Sequence, residues 1–342
     1  MSVQGTARID EQGPTVDLVF EGGGVKGLGL VGAYSILEER GYRPVNMAGT
    51  SAGAIVAALV AAGYSAKELY KVMSEIPFEE FKDKAWEDFI PGLSFAASLI
   101  LDHGIYEGDR FLSWIRELLH GKKDPRGDEM TFGDLLRDPS IDDVRYRYKL
   151  QVIVSDVTDR RMLVLPRDAE ELGYRHPDYL PVALAVRASM SIPVFFEPVT
   201  ITDNLGKKHV LVDGGMLSNF PVWLFDVPPE QKAERPTFGL KLVEKDSRAR
   251  MLKGGPEQAS RGGLLGRLRE TGTIGYLWSL VETMMEAHDR LYVEQNKFDK
   301  TIAVDTLGVG TTEFDLPKDR VKALHTSGRE AAEQFLEKIK TA

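Results

Sequence analysis

Residues 19–32 read "VFEGGGVKGLGLVG", and the meaning of this glycine turn decides the fold. An apolar run, Val16 to Phe20, leads into it, and a helix is expected over Gly32–Arg40, ending at the C′ glycine Gly41. Gly22, Gly24 and Gly27 satisfy G-x-G-x-x-G, the spacing of a dinucleotide-binding turn. Backbone N–H groups at such a turn serve any anion, because they point outward at the positive end of a helix. A dinucleotide site also needs an acid about 20 residues further on, at the end of the second strand, to hold a ribose hydroxyl. The second strand, within "YRPVNMAGTSAG" (42–53), ends instead in Met47-Ala48-Gly49.

In the place of that acid stands "GTSAG", Gly49 to Gly53, which fits the G-x-S-x-G nucleophile elbow. A sharp strand-to-helix turn would present the Ser51 hydroxyl at the sheet edge. Gly49 and Gly53 would allow close backbone approach, and the following helix would aim its positive end at developing negative charge. The competing reading is a Ser51 helix N-cap using the same hydroxyl. Glycine loop and elbow then sit at the ends of successive strands. The N–H groups of Gly23 and Gly24 are expected to face a transient oxyanion rather than a phosphate.

The remaining chain fits that reading. Strands are expected around 147–158, 160–166, 209–215 and 237–243, and helices over 54–63, 65–82 and 180–190. Strands alternating with helices predict an α/β fold, a three-layer sandwich with a central, mostly parallel sheet flanked by helices. Residues 15–342 are read as one hydrolase domain with its motif core at 15–225 and a C-terminal extension at 245–342. Residues 1–14 are read as a polar tail. The chain has 342 residues, 43% apolar and 28% charged, which is ordinary for a globular protein. A net charge of −9 argues against nucleic acid as a partner. With no cysteine at all, disulfides, thiol catalysis and cysteine-based zinc sites are excluded. No signal-peptide core and no apolar run of about 18 residues appear. A cytoplasmic protein is expected, with any membrane contact peripheral.

A serine nucleophile needs a base. His103, His120, His176, His209, His288 and His325 are all available, and none sits in a recognisable motif. Asp213 stands apart. It closes the apolar strand "HVLVDGG" and precedes Gly214 and Gly215, so it is expected at a strand's C-terminal end, where α/β sites lie. In isolation, an Asx-type turn closing the strand is the better reading of it.

Taken in order, "EGGGVKG", "GTSAG" and "VDGG" resemble the patatin-like phospholipases. "RASMSIPVFFEPV" (187–199) and the Asn-x-Pro of "GGMLSNFPV" (214–222) are similar to that family's further motifs. The resemblance covers roughly residues 15 to 225. It implies a patatin-like fold and a Ser–Asp dyad without histidine, with Ser51 as nucleophile and Asp213 as general base. It implies that Gly22, Gly23, Gly24, Lys26 and Gly27 form the oxyanion loop. It further implies a lipid acyl hydrolase of the phospholipase A or lysophospholipase type, independent of calcium, with no metal and no cofactor. Lys26 is left between steadying the loop and attracting lipid phosphate. The lipid head group, the acyl position and the oligomeric state are not legible.

Two rivals stand beside this. One is a conventional α/β-hydrolase esterase with a triad such as Ser51–Asp213–His288, which chain order permits. The other is a non-catalytic lipid- or nucleotide-sensing regulator on the same fold. Phe89–Leu101 is a candidate acyl-chain wall or lid, Phe195 and Phe196 are candidate pocket or core residues, and the Arg/Lys-rich stretch 245–273 is a candidate contact for anionic lipid.

Overall fold

The structure is a computed structural model, and it describes residues 9–10, 13–76, 108–122, 128–193, 195–228, 230–244, 283–284, 298–311, 313 and 316–341. Within these, nine strands form one sheet: β1 (Ile9–Asp10), β2 (Gly13–Phe20), β3 (Arg43–Gly49), β4 (Leu150–Asp156), β5 (Arg161–Leu165), β6 (Val199–Thr202), β7 (Lys208–Asp213), β8 (Thr237–Val243) and β9 (Thr301–Asp305). The helices are α1 (Gly27–Glu39), α2 (Ala52–Ala61), α3 (Ala66–Ser74), α4 (Gly108–His120), α5 (Val144–Arg147), α6 (Val182–Ser189) and α7 (Lys318–Thr341).

The strand order is β6-β7-β4-β3-β2-β8-β9, with β1 attached to β2 and β5 to β4. The five central strands, β4-β3-β2-β8-β9, are parallel. The β7 edge departs from the parallel expectation, for β7 runs antiparallel to β4 and β6 antiparallel to β7.

Alternation along the strands gives the sheet two apolar faces. Val16, Leu18 and Phe20 of β2 join Leu240, Ile302 and the helices in the larger core. Val19, Ala48 and Ile153 face the other way, against Phe220, Val222 and Phe225 of the short turns after β7. This is the expected three-layer arrangement, with turns rather than long helices forming the described part of the thinner layer. All ten residues of α2 are buried, as a helix apolar all round requires. α3 opens with the capping box Ser65–Glu68, which satisfies two N-terminal donors.

α1 begins at Gly27, five residues before the expected start. Its glycines lower helix propensity and so hide the helix from a sequence reading. Packing overrides that cost, because Gly29 and Gly32 let the backbone of α7 come close. Leu30 of α1 is fully buried, and truncating it to Ala should remove about 2–5 kcal/mol.

Candidate active site

β2 and β3 are adjacent and parallel, and Phe20 pairs with Gly49. The glycine turn after β2 and the serine turn after β3 are therefore neighbours, as expected. Ser51 has φ 53°, in a region that side chains other than glycine occupy at a cost of about 1–3 kcal/mol. The turn is held by backbone bonds: Ser51 O accepts from Ala54 N at 2.8 Å, and Ser51 N–H donates to Ser189 Oγ at 2.9 Å. Ser51 occupies the N-cap position of α2, yet its side chain makes no capping bond. Its Oγ is buried without a hydrogen-bond partner among the described residues. The N-cap reading of the serine is thereby excluded. Gly53 is required by packing, since a Cβ there would sit 2.5 Å from Glu21 O and closer still to Phe20 O.

Asp213 reaches the same place by a different route from the one expected. In the register of β4, Gly49 of β3 stands opposite Val152, and Asp213 of β7 stands opposite Val154. Because β7 is antiparallel, its last residue descends toward the elbow from the far side of the sheet. The rule that sites lie at the C-terminal ends of parallel strands does not account for it. Asp213 Oδ1 accepts from Gly215 N at 2.7 Å, so the Asp turn does exist. It uses only one oxygen. Oδ2 is buried and has no partner of ordinary hydrogen-bond geometry among the described residues. Burial pushes the Asp213 carboxyl up to about 7, and the neighbouring Ser51 hydroxyl and the Gly215 N–H pull against that rise. The Ser51 hydroxyl thus lies beside the Asp213 carboxyl and favours its ionised form.

The glycine loop is fixed at its edges and open at its centre. Gly22 N donates to Asn219 O at 3.0 Å, and Asn219 Nδ2 returns a bond to Gly22 O at 3.1 Å. Val25 N donates to Thr311 O at 3.3 Å and Lys26 N to Gly23 O at 3.2 Å. Among the described residues no acceptor meets the N–H groups of Gly23 or Gly24. The loop lies against the serine, since a Cβ on Gly22 would be 3.1 Å from Ser51 Cβ. Gly24 has φ 57°, a left-handed conformation that glycine adopts freely. Lys26 is partly exposed and closes the short turn Gly24–Lys26, with Gly27 opening α1 behind it. Beneath the loop, Glu21 Oε1 and Lys241 Nζ form a buried ion pair at 2.6 Å. Gly49, Gly214 and Gly215 are all buried at the joints of this arrangement.

No described histidine hydrogen-bonds to Ser51 or Asp213. His209 Nδ1 instead contacts Asp156 Oδ2 at 2.7 Å, four residues along β7 from Asp213. His209, Asp156 and Asp159 are close enough to one another to hold a cation. However, Asp156 Oδ1 already accepts from Thr158 N at 2.9 Å, and Asp159 is paired with Lys207 and Arg161. The cluster works as a charge network tying β4 to β7. Phe196 is buried in the core with the Arg187 guanidinium 5.9 Å from its ring centroid, and Phe195 packs against the same core. His103, His288, Phe89–Leu101 and the basic stretch 245–273 lie outside the described residues.

Two residues that the sequence did not single out stand next to the expected ones. Ser189 touches the elbow, and Asn219 clamps the glycine loop. Both fall inside quoted motifs, but nothing in a single sequence says where a hydroxyl or an amide points.

The mostly parallel sheet with helices on it, and the glycine and serine turns after its neighbouring strands β2 and β3, make this an α/β protein of the three-layer class. Residues 18–226 match the family described as patatin-like phospholipase, and the chain belongs to that family. At that level it is a lipid hydrolase. The chain is 37% identical over 322 residues to the uncharacterized protein YqhO of Bacillus subtilis (strain 168), covering 94% of this chain and 98% of that one. Its fold is similar to VipD from Legionella pneumophila, at TM-score 0.54 and 18% identity over 98% of this chain and 70% of that chain. It is also similar to ExoU in its complex with SpcU from Pseudomonas aeruginosa, at TM-score 0.50 and 21% identity over all of this chain and 57% of that one.

Proposed function

We propose that this chain cleaves carboxylic esters of lipids, in the manner of a phospholipase A or lysophospholipase, through an acyl-Ser51 intermediate with Asp213 as general base. The observation that carries the reading is the pair of buried, otherwise unpartnered oxygens, Ser51 Oγ and Asp213 Oδ2. Leaving polar atoms buried and unpaired costs about 1–3 kcal/mol each. Such a cost is sustained where the atoms are kept for each other and for a substrate.

In the first half-reaction Asp213 Oδ2 takes the Ser51 proton as Oγ attacks the acyl carbonyl. The negative charge on the carbonyl oxygen is met by the Gly23 and Gly24 N–H groups and by the N-terminal end of α2. The tetrahedral species collapses to acyl-Ser51, and Asp213 passes its proton to the departing alcohol. In the second half, Asp213 takes a proton from water, the hydroxide attacks the acyl carbonyl, and the proton returns to Ser51. A carboxylate near its ordinary pKa of about 3.9 is a poor base for a hydroxyl. Burial raising Asp213 to about 7 supports its use near neutrality. The bond that Asp213 Oδ1 accepts from Gly215 N leaves Oδ2 to serve as the base.

Among the described residues no helix is long and apolar enough to cross a membrane, so substrate would be taken from a lipid surface or from micelles by peripheral contact. The deciding experiment presents a panel of phospholipids, lysophospholipids, galactolipids and neutral glycerides to wild type and Ser51→Ala, with products identified by mass. Release of fatty acid by wild type alone is expected. Equal release by both, or none from any lipid, would overturn the proposal.

A further inference from the structure

The segment that follows α6 touches both halves of the proposed dyad through the backbone. Ser189 Oγ accepts the Ser51 N–H at 2.9 Å, and Ser191 O accepts the Asp213 N–H at 2.9 Å. The two contacts are made by residues two apart in sequence, Ser189 at the end of α6 and Ser191 just beyond it. Ser189 is fixed in turn, donating from Oγ to Ile153 O of β4 at 2.7 Å. Ser191 Oγ donates to Arg187 O at 3.0 Å and accepts from the Arg187 guanidinium. That guanidinium also donates to Gly108 O at 3.0 Å and Glu197 O at 2.7 Å. Arg187 is 4% exposed, and Ser189 and Ser191 are fully buried.

We infer that Ser189–Ser191 is the strut that sets the distance between nucleophile and base, and that the Ser189 hydroxyl is the positioning residue at its nucleophile end. The inference rests on the reading of Ser51 and Asp213 given above. The physical need is specific. Ser51 is held at φ 53°, and such a conformation persists only where the surroundings over-determine it. Its N–H, the first donor of the turn, has a single acceptor among the described residues, the side chain of Ser189. Removing that oxygen leaves a buried N–H unsatisfied and frees the peptide to rotate. The hydroxyl of Ser51 then swings away from Asp213, while no substrate-binding surface is altered. A displacement of about 1 Å between reacting groups is enough to lower the rate about 100-fold.

The test compares wild type, Ser51→Ala, Ser189→Ala and Ser189→Cys. Cysteine keeps the side-chain volume close and supplies a much weaker acceptor, so it serves where the alanine variant does not fold. Each is assayed on the best lipid of the panel for kcat, KM and pH profile, and for the rate of Ser51 labelling by a fluorophosphonate followed by intact mass. Expected for both Ser189 variants is a 10- to 100-fold fall in kcat and in labelling rate, with KM within about twofold. Their acidic limb should also move to higher pH, because Asp213 loses the Ser51 hydroxyl that favours its ionised form. A folded Ser189 variant with wild-type kcat and an unmoved acidic limb overturns the strut. A fall in thermal stability with kcat and pH profile unchanged overturns it as well, marking Ser189 as structural only. Failure of wild type itself to turn over or to label at Ser51 would instead overturn the reading on which the strut rests.

Discussion

In the proposed mechanism Asp213 acts as a base at neutral pH while buried, and these two demands set its titration. Burial raises its carboxyl to about 7, so the ionised form that accepts a proton from Ser51 predominates only above that value. Activity should therefore fall as pH drops through about 7 and level off on the alkaline side, as a pH series of kcat/KM would display. An acidic limb near pH 4 would remove Asp213 from the role. Stability should run the other way. A group whose folded pKa lies above its unfolded one stabilises the fold below the unfolded value, near 4, and that stabilisation is lost as pH rises through 7. Asp213→Asn should accordingly abolish hydrolysis and raise the melting temperature at pH 8 to 9, with little change at pH 4. A shift of about three units corresponds to a cost on the order of 4 kcal/mol in the wild type at alkaline pH. Asp17, also buried and raised to about 7, adds to the same trend in both proteins and cancels in the comparison. Residue types carried this much of the chemistry openly: Ser51 and Asp213 stand in short motifs with informative neighbours. Ser189 and Asn219 were hidden, because their roles depend on the direction of one hydroxyl and one amide.

The elbow is an element whose parts are legible singly and whose strain is not. "GTSAG" after an apolar strand announced the turn. The left-handed Ser51 that makes it reactive appears only in the backbone, and it needs Gly53 under two carbonyls of the neighbouring strand end. Gly53→Ala should push β2 and α2 apart, costing about 2–3 kcal/mol in urea unfolding and eliminating fluorophosphonate labelling. Retention of labelling would mean that the turn accepts a Cβ and that the packing argument fails. α1 shows the opposite failure of sequence reading. Gly27, Gly29 and Gly32 look like helix breakers, yet here they make room for neighbours: Met73 of α3 at Gly27, Val304 of β9 at Gly29 and the His325 carbonyl of α7 at Gly32. β7 was recognised as a strand, but its direction was not legible, because the alternation of side chains is the same whichever way a strand runs.

Across the whole molecule, the part beyond the motif core completes the sheet on which the site stands. β8 pairs directly with β2, β9 pairs with β8, and α7 packs along α1, which begins at the glycine loop. Thr311, in the connection after β9, accepts the Val25 N–H within that loop. β8 was legible as the strand expected at 237–243, but β9 and α7 were not, since a five-residue strand and a mostly polar helix carry weak periodic signals and no motif. The closest contact is at Gly328, where a Cβ would meet Ala33 N at 2.8 Å and Gly29 O at less. Gly328→Val should separate α7 from α1, lower stability by about 1–3 kcal/mol and slow Ser51 labelling at temperatures well below the melting transition. Labelling at the wild-type rate in a measurably destabilised variant would show that the loop is indifferent to α7.

The antiparallel course of β7 has a consequence in time as well as in space. Ser51 is made early, and the carboxylate that would activate it follows 162 positions later (213 − 51), an interval of roughly 10–30 s at ordinary rates of synthesis. Through that interval the emerging chain holds a serine with no base beside it and with β2 lacking its β8 partner. Under the proposed mechanism, a lipid hydrolase assembled in this order is born inert, and gains its base only once β7 has joined β4.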